Sequence, residues 1–231
     1  MSIKNKLKNK VKHNYNLKKF ISLFQYGLPK NTKKIKGRNN KFDNQEAFLR
    51  CVEIDIVGDS NEVVIKKGAN ISNIKIFMRG TGHRLVIGEK CIIKSGELWF
   101  EDDKCTIEIG DKTTIERAHI AVTEPNSSIT IGADCMLSSN IDIRNGDSHS
   151  ILDVSTNKRI NYAKNISIGD HVWIGAFVQI LKGVNIGDDS IIGIRSLVTR
   201  NIAKGCIATG TPAKTVKENV DWKRERIYEE V

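Results

Sequence analysis

The 231-residue chain carries 37 Lys and Arg against 27 Asp and Glu, a formal charge of +10. Its length fits one domain, or one domain with an attached arm, and no run of about 18 apolar residues marks a membrane-spanning helix. The charge is uneven, because residues 1–41 hold thirteen Lys or Arg and no Asp or Glu.

Within that basic stretch, Ile3, Leu7, Val11, Leu17, Phe20, Ile21 and Phe24 recur at three- and four-residue spacing among lysines. The pattern predicts an amphipathic helix or helix pair, with residues 1–34 as a basic N-terminal helical arm. The arm packs on the body or a neighbouring subunit, or else lies on a membrane surface. A solubilising role is the plain reading of its charge, and attraction to a membrane or a polyanionic acceptor is the sharper one. A signal peptide is not expected, since no apolar run with a small-residue cleavage site follows the basic start.

From Ile35 a longer repeat begins. Ile65, Ile87, Ile109 and Ile131 are each 22 residues apart, as are Val63, Leu85, Ile107 and Ile129, and Ile71, Ile93, Ile115 and Leu137. Polar corners recur in step, among them Gly80-Thr81-Gly82-His83. The side around Ile76, Leu98 and Ile120 is less regular and its inward residues stay unassigned. The step from Ile131 to Ile168 is 37, so about fifteen extra residues leave the repeat within 144–165 as a polar loop.

Residues 166–202 then repeat every six. Ile168, Ile174, Ile180, Ile186, Ile192 and Val198 form one column; Ile166, Val172, Val178, Val184, Ser190 and Ser196 form another two residues earlier. A period of six is the register of short strands on the flat sides of a prism, with a corner after each. The repeat spans 35–210. The tail 211–231, with Val216, Val220, Ile227 and Val231 at helical spacing, is expected to cap the last coil as a helix. The cysteines show no C-x-x-C spacing; Cys91 and Cys135 read as small core residues in a reducing compartment. The cytoplasm, or the inner face of the membrane, is the expected location.

The runs I-G-D-H-V-W-I-G and V-N-I-G-D-D-S-I-I-G resemble the hexapeptide-repeat acyltransferases of the sugar O-acetyltransferase type. The resemblance implies an all-β fold, a left-handed parallel β-helix, here flanked by N-terminal and C-terminal helical segments. It also implies a homotrimer with active sites between subunits, and acetyl-CoA as co-substrate without a metal. A carbonic-anhydrase-type β-helix would need three convergent histidines, two of them close in sequence, and His149 and His171 are 22 apart. No nucleic-acid motif accompanies the basic arm.

Read alone, His149 in D-S-H-S-I is either a surface-loop residue or a general base. An imidazole titrating near neutrality suits deprotonation of a sugar hydroxyl, and Asp147, Asp153 or a backbone carbonyl could fix its tautomer. The resemblance favours the base, because the family's loop histidine precedes the tryptophan of V-W-I-G by 24 residues, as His149 precedes Trp173. Trp173 falls in an outward slot, where it is either an interface residue or the contact for the thioester end of acetyl-CoA. By the same resemblance Ala176 and Gly193 border the pantetheine arm. Thr199 and Arg200 match V-T-[KR]-[DN]-I, and Lys214 matches the phosphate-binding G-x-P-A-[KR], with Lys217 three residues on. Gly193-Ile194-Arg195-Ser196 departs from the family's G-A-G-S, and the bulk of Ile194 and Arg195 bears on the pantetheine path. His13, His83 and His171 are expected to be solvated structural residues; His119 is structural or an acceptor contact.

The expected function is acetylation of a hydroxyl on a surface polysaccharide of the capsular kind, with the basic arm pointing to an anionic or sialic-acid-bearing one. The alternatives are acetylation of a nucleotide-linked amino sugar or other small acceptor, and a non-catalytic glycan-binding β-helix.

Overall fold

The computed structural model describes residues 30–228. They form a three-walled parallel β-helix. Wall A has eight strands, from Thr32–Lys36 to Leu197–Val198. Wall B has seven, from Lys41–Asn44 to Asn185–Ile186. Wall C has nine, from Phe48–Arg50 to Ala213–Glu218. The chain visits the walls in the order A, B, C and repeats, so almost every strand pairs in parallel with strands one coil before and after it.

The inward columns explain the repeat. Ile174, Ile180 and Ile192 and their partners Val172, Val178 and Ser190 are all buried, and the stacked aliphatics form one continuous core. Parallel pairing satisfies the backbone between coils, while burial of two side chains per side drives their stacking. The irregular side is wall A. Its early strands are five or six residues long, as in Ile74–Arg79 and Gly96–Phe100, against two in Gln179–Ile180. Met78, Phe100 and Val122 add a further inward rung there beside Ile76, Leu98 and Ile120. The polar segments of the 22-residue repeat all lie at the corner from wall A to wall B, and so does the excursion between Arg144 and Ile166.

That A–B corner is built on close backbone contact. At Gly58 and Gly80 φ is +135° and +128°, and a Cβ would fall 1.8 Å and 1.5 Å from the carbonyl oxygen of the next coil. Inside the corner runs a ladder of side-chain acceptors. Asn61 N–H donates to Asn40 Oδ1 (2.9 Å), His83 N–H to Asn61 Oδ1 (2.8 Å), and Cys105 N–H to His83 Nδ1 (3.2 Å). His83 is therefore a fully buried rung, not the solvated corner residue its neighbours suggested. Its Nε2–H donates to the Arg79 carbonyl at 3.0 Å, which fixes the tautomer.

Three expectations are corrected. The prism starts at Thr32, not 35, because Thr32–Lys36 already pairs with Glu53–Val57; the helical reading of 1–34 otherwise lies outside the described residues. No helix occurs in 211–228. Instead Ala213–Glu218 folds back antiparallel on Cys206–Gly210, supplying the last open edge of wall C with a partner. Residues 219–228 then descend the outside of the B–C corner as an extended strap. Val220 N–H donates to the Gly205 carbonyl (3.0 Å), while Arg224 reaches Asp134 Oδ1 (3.1 Å), the Cys135 carbonyl (3.0 Å) and Thr114 Oγ1 (3.0 Å). His171, expected at a solvated edge, is half-buried under this strap.

Burial of the neutral His83 ring pushes its pKa below the ordinary 6.5, the carbonyl of Arg79 and the nearby Asp103 and Asp102 opposing only in part. The unfolded chain therefore takes up this proton first. Stability from this residue is complete above pH 6.5 and is lost as pH falls below it, by at most about 1.4 kcal/mol per pH unit for one proton. His83→Asn, which keeps an acceptor for the Cys105 N–H, is expected to flatten the fall of Tm between about pH 6.5 and 5. A melting series that falls equally in both chains would contradict this.

Candidate active site

His149 sits on the loop that leaves the prism at the A–B corner. Its imidazole is exposed, and the structure gives it no hydrogen bond within the described residues. The backbone around it is held firmly. Its N–H donates to the Asp147 carbonyl (2.7 Å) and its carbonyl accepts from Asn161 Nδ2 (2.7 Å).

Asn161 is the hub of the loop. Its buried amide also donates to Asp147 Oδ2 (2.9 Å) and accepts from the Ile151 N–H (2.7 Å) and Arg159 Nε (3.1 Å). Lys182, from the next coil, pairs with Asp147 and donates to the Asn161 carbonyl at 3.1 Å. Arg159 pairs with Glu124, one coil below. Neither carboxylate expected to orient His149 reaches its ring. Asp147 is held below the usual carboxylate range by Lys182. Asp153 accepts from Ser155 Oγ (2.6 Å) and from Thr156 N–H and Oγ1 (2.8 and 2.9 Å), which bring its pKa down to about 2. It caps a turn at the loop tip. An asparagine twelve residues after the histidine carries no motif, so the sequence offered no sign of Asn161.

Trp173 lies outside wall C, in register between Met136 below and Ile191 above, and is 39% exposed. Above Ile191 comes Ile207, and opposite Ile207 is Lys217. Beside this column, at the corner from wall C to wall A, Ala176 is bonded through its carbonyl to the Arg195 N–H (2.9 Å). A Cβ on Gly193 would meet Thr209 Oγ1 at 2.6 Å, and Thr209 pairs across the hairpin with Lys214. Trp173, Ala176, Gly193, Lys214 and Lys217 thus share one strip on wall C and its edge. The strip ascends from an exposed indole, past small residues, to two exposed lysines. Ile194 projects to solvent and Arg195 lies over the Phe177 ring at 5.3 Å, so their bulk forms the rim of the strip.

Thr199 and Arg200 are elsewhere. They follow Leu197–Val198 at the A–B corner, the same corner that carries His149. In a three-walled prism that corner lies across the core from wall C. Within one chain the His149 loop and the Trp173 strip therefore face different directions, and the two residues do not meet. Two shallow grooves, of about 390 Å³ on wall B and about 570 Å³ on wall A, contain neither residue.

The wall-A groove is lined by Gly96, Arg117, His119, Asn140, Asp142 and Arg144, among others. His119 Nδ1 donates to Asp142 Oδ1 (3.0 Å), and Arg144 Nε to both carboxylate oxygens (2.9 and 3.0 Å). Burial works to raise the Asp142 pKa, but bonds from His119 and Arg144 hold it below the usual range. Parallel pairing aligns His119 with Asp142 although they are 23 residues apart, on the wall whose register the sequence does not show.

Residues 165–200 match the family model for the bacterial transferase hexapeptide (six repeats). A polysialic acid O-acetyltransferase of Neisseria meningitidis is 32% identical over 194 residues, 83% of this chain and 89% of that protein. One from Escherichia coli O1:K1 is 39% identical over 116 residues, but the match spans only 38% of its length. The crystal structure of the polySia-specific acetyltransferase NeuO superposes with a TM-score of 0.78 at 32% identity, covering 84% of this chain and 89% of that one. Repeat, fold and a likeness over 83% of the chain agree: the chain belongs to the hexapeptide-repeat acyltransferases, whose β-helix is left-handed.

Proposed function

We propose that the protein transfers an acetyl group from acetyl-CoA to a hydroxyl of a capsular polysaccharide, with polysialic acid the acceptor class best supported. The observation that carries this reading is the likeness to a polysialic acid O-acetyltransferase across 89% of that protein's length. The groove on wall A supports it chemically. Arg117 and Arg144 present guanidinium groups suited to sugar carboxylates, and Arg144 ends the strand that leads to the His149 loop.

In this mechanism the acceptor hydroxyl gives its proton to the His149 imidazole as its oxygen attacks the thioester carbonyl. The tetrahedral intermediate collapses with cleavage of the carbon–sulfur bond, and the departing CoA sulfur takes the proton back from the imidazolium. Trp173 contacts the thioester end, and its indole N–H is one donor able to face the developing oxyanion. Ala176 and Gly193 leave room for the pantetheine, while Lys214 and Lys217 meet the phosphates. The separation of the half-sites calls for a second chain, with the A–B corner of one prism against wall C of another. A homotrimer of the family's kind meets that need.

His149→Ala is expected to lower kcat by roughly 10²–10⁴ while acetyl-CoA still binds; undiminished turnover in a labelled acetyl-transfer assay would remove the mechanism. Asn161→Ala, which withdraws four hydrogen bonds from the loop, should speed proteolytic nicking between 151 and 160 and lower kcat. Unchanged nicking would show that the loop does not depend on this amide.

A further inference from the structure

Trp222 is anchored far more firmly than a residue in a terminal strap needs to be. It is 5% exposed, although the residues beside it in 219–228 are mostly exposed. Its ring stacks on His171 with centroids 4.2 Å apart and planes within 7°. The two residues bond reciprocally: Trp222 Nε1–H donates to the His171 carbonyl (2.7 Å) and His171 Nε2–H donates to the Trp222 carbonyl (2.9 Å). His171 Nδ1 faces Asp134 Oδ2 at 2.9 Å, so both ring nitrogens meet acceptors. Asp221 lies 3.4 Å from Nε2, Asp189 adjoins it, and Arg224 bonds the far side of Asp134. Burial opposes protonation of His171, but the Trp222 carbonyl, Asp134 and Asp221 outweigh it and raise its pKa. The imidazolium is the form that satisfies both acceptors.

The Arg224 guanidinium lies over the Trp222 ring at 5.5 Å, and the anchor also adjoins the strip on wall C. The Trp173 ring centroid lies 6.0 Å from that of Trp222 at a tilt of 48°, within the range of favourable aromatic pairs. Along its own wall Trp173 is flanked in register by Met136 and Ile191.

We propose that Trp222 is a positioning residue for Trp173: the strap brings it from the far end of the chain to set the face that Trp173 presents to the acetyl donor. This rests on the reading of Trp173 as a donor contact. His171 and Arg224 hold Trp222 in place and have no direct part in acetyl transfer. Loss of one aromatic pair should weaken donor binding by roughly 2- to 12-fold.

The test compares the full-length Trp222→Ala, Trp222→Phe and Trp173→Ala chains by steady-state kinetics and by fluorescence. Trp222→Ala is expected to raise the KM for acetyl-CoA by that factor while the acceptor KM holds, and to red-shift the emission of Trp173. Trp222→Phe, which keeps a ring against Trp173, should recover part of the loss. Should the alanine chain fold poorly, Arg224→Ala loosens the strap without touching Trp173 and should move the same KM the same way by a smaller factor. A raised acetyl-CoA KM in Trp173→Ala with an unmoved one in the Trp222 and Arg224 variants would overturn the proposal and leave the donor site standing. An unmoved KM in Trp173→Ala would remove the donor-site reading, and the proposal with it.

Discussion

The structure depends on one constraint: each short strand must bury an aliphatic residue and the side chain two before it, directly above the pair of the coil below. Stacking at strand spacing then completes the backbone hydrogen bonds between coils. Because the interior is committed to that stack, everything with chemistry lies on the outer slots of the walls or at the corners. Corners also absorb length without disturbing the core. The chain uses one corner, from wall A to wall B, for its enlarged turns and for the loop that carries His149.

The prism was readable because the six-residue period leaves little alternative: Ile168 through Val198 are buried in the order the spacing required. Wall A resisted because its early strands carry an additional inward rung at Met78, Phe100 and Val122, which breaks the even count. His83 departs from expectation for a related reason. A polar residue among Gly and Thr looks solvated in isolation, whereas in the stack it supplies the acceptor that the next coil's N–H requires. In the tail, the four-residue step from Val216 to Val220 fits a helix, but the unpaired edge of wall C was the stronger demand. No local signal distinguished Trp222, whose stacking partner His171 is 51 residues away.

The candidate site was legible in part. The residues expected to contact acetyl-CoA at Trp173, Ala176, Gly193, Lys214 and Lys217 form one strip, while Thr199 and Arg200 belong to the corner of His149. Spacing along a sequence reports which wall a residue occupies only when the side lengths are known. The resemblance supplied motifs and left open which edge of the prism each motif would face. Under the proposed mechanism a flat wall with an exposed indole and a loop with an exposed imidazole are each incomplete, and apposing two chains would make a cleft of them.

The most direct measurement is subunit complementation. His149→Ala and Trp173→Ala chains, each of low activity alone, would be unfolded together, reassembled and assayed for acetyl transfer. If each site takes its imidazole from one chain and its indole from the next, mixed assemblies recover activity at on the order of a quarter of their sites. Activity that stays at the level of the separate variants, in assemblies shown to be mixed, would contradict a site shared between chains.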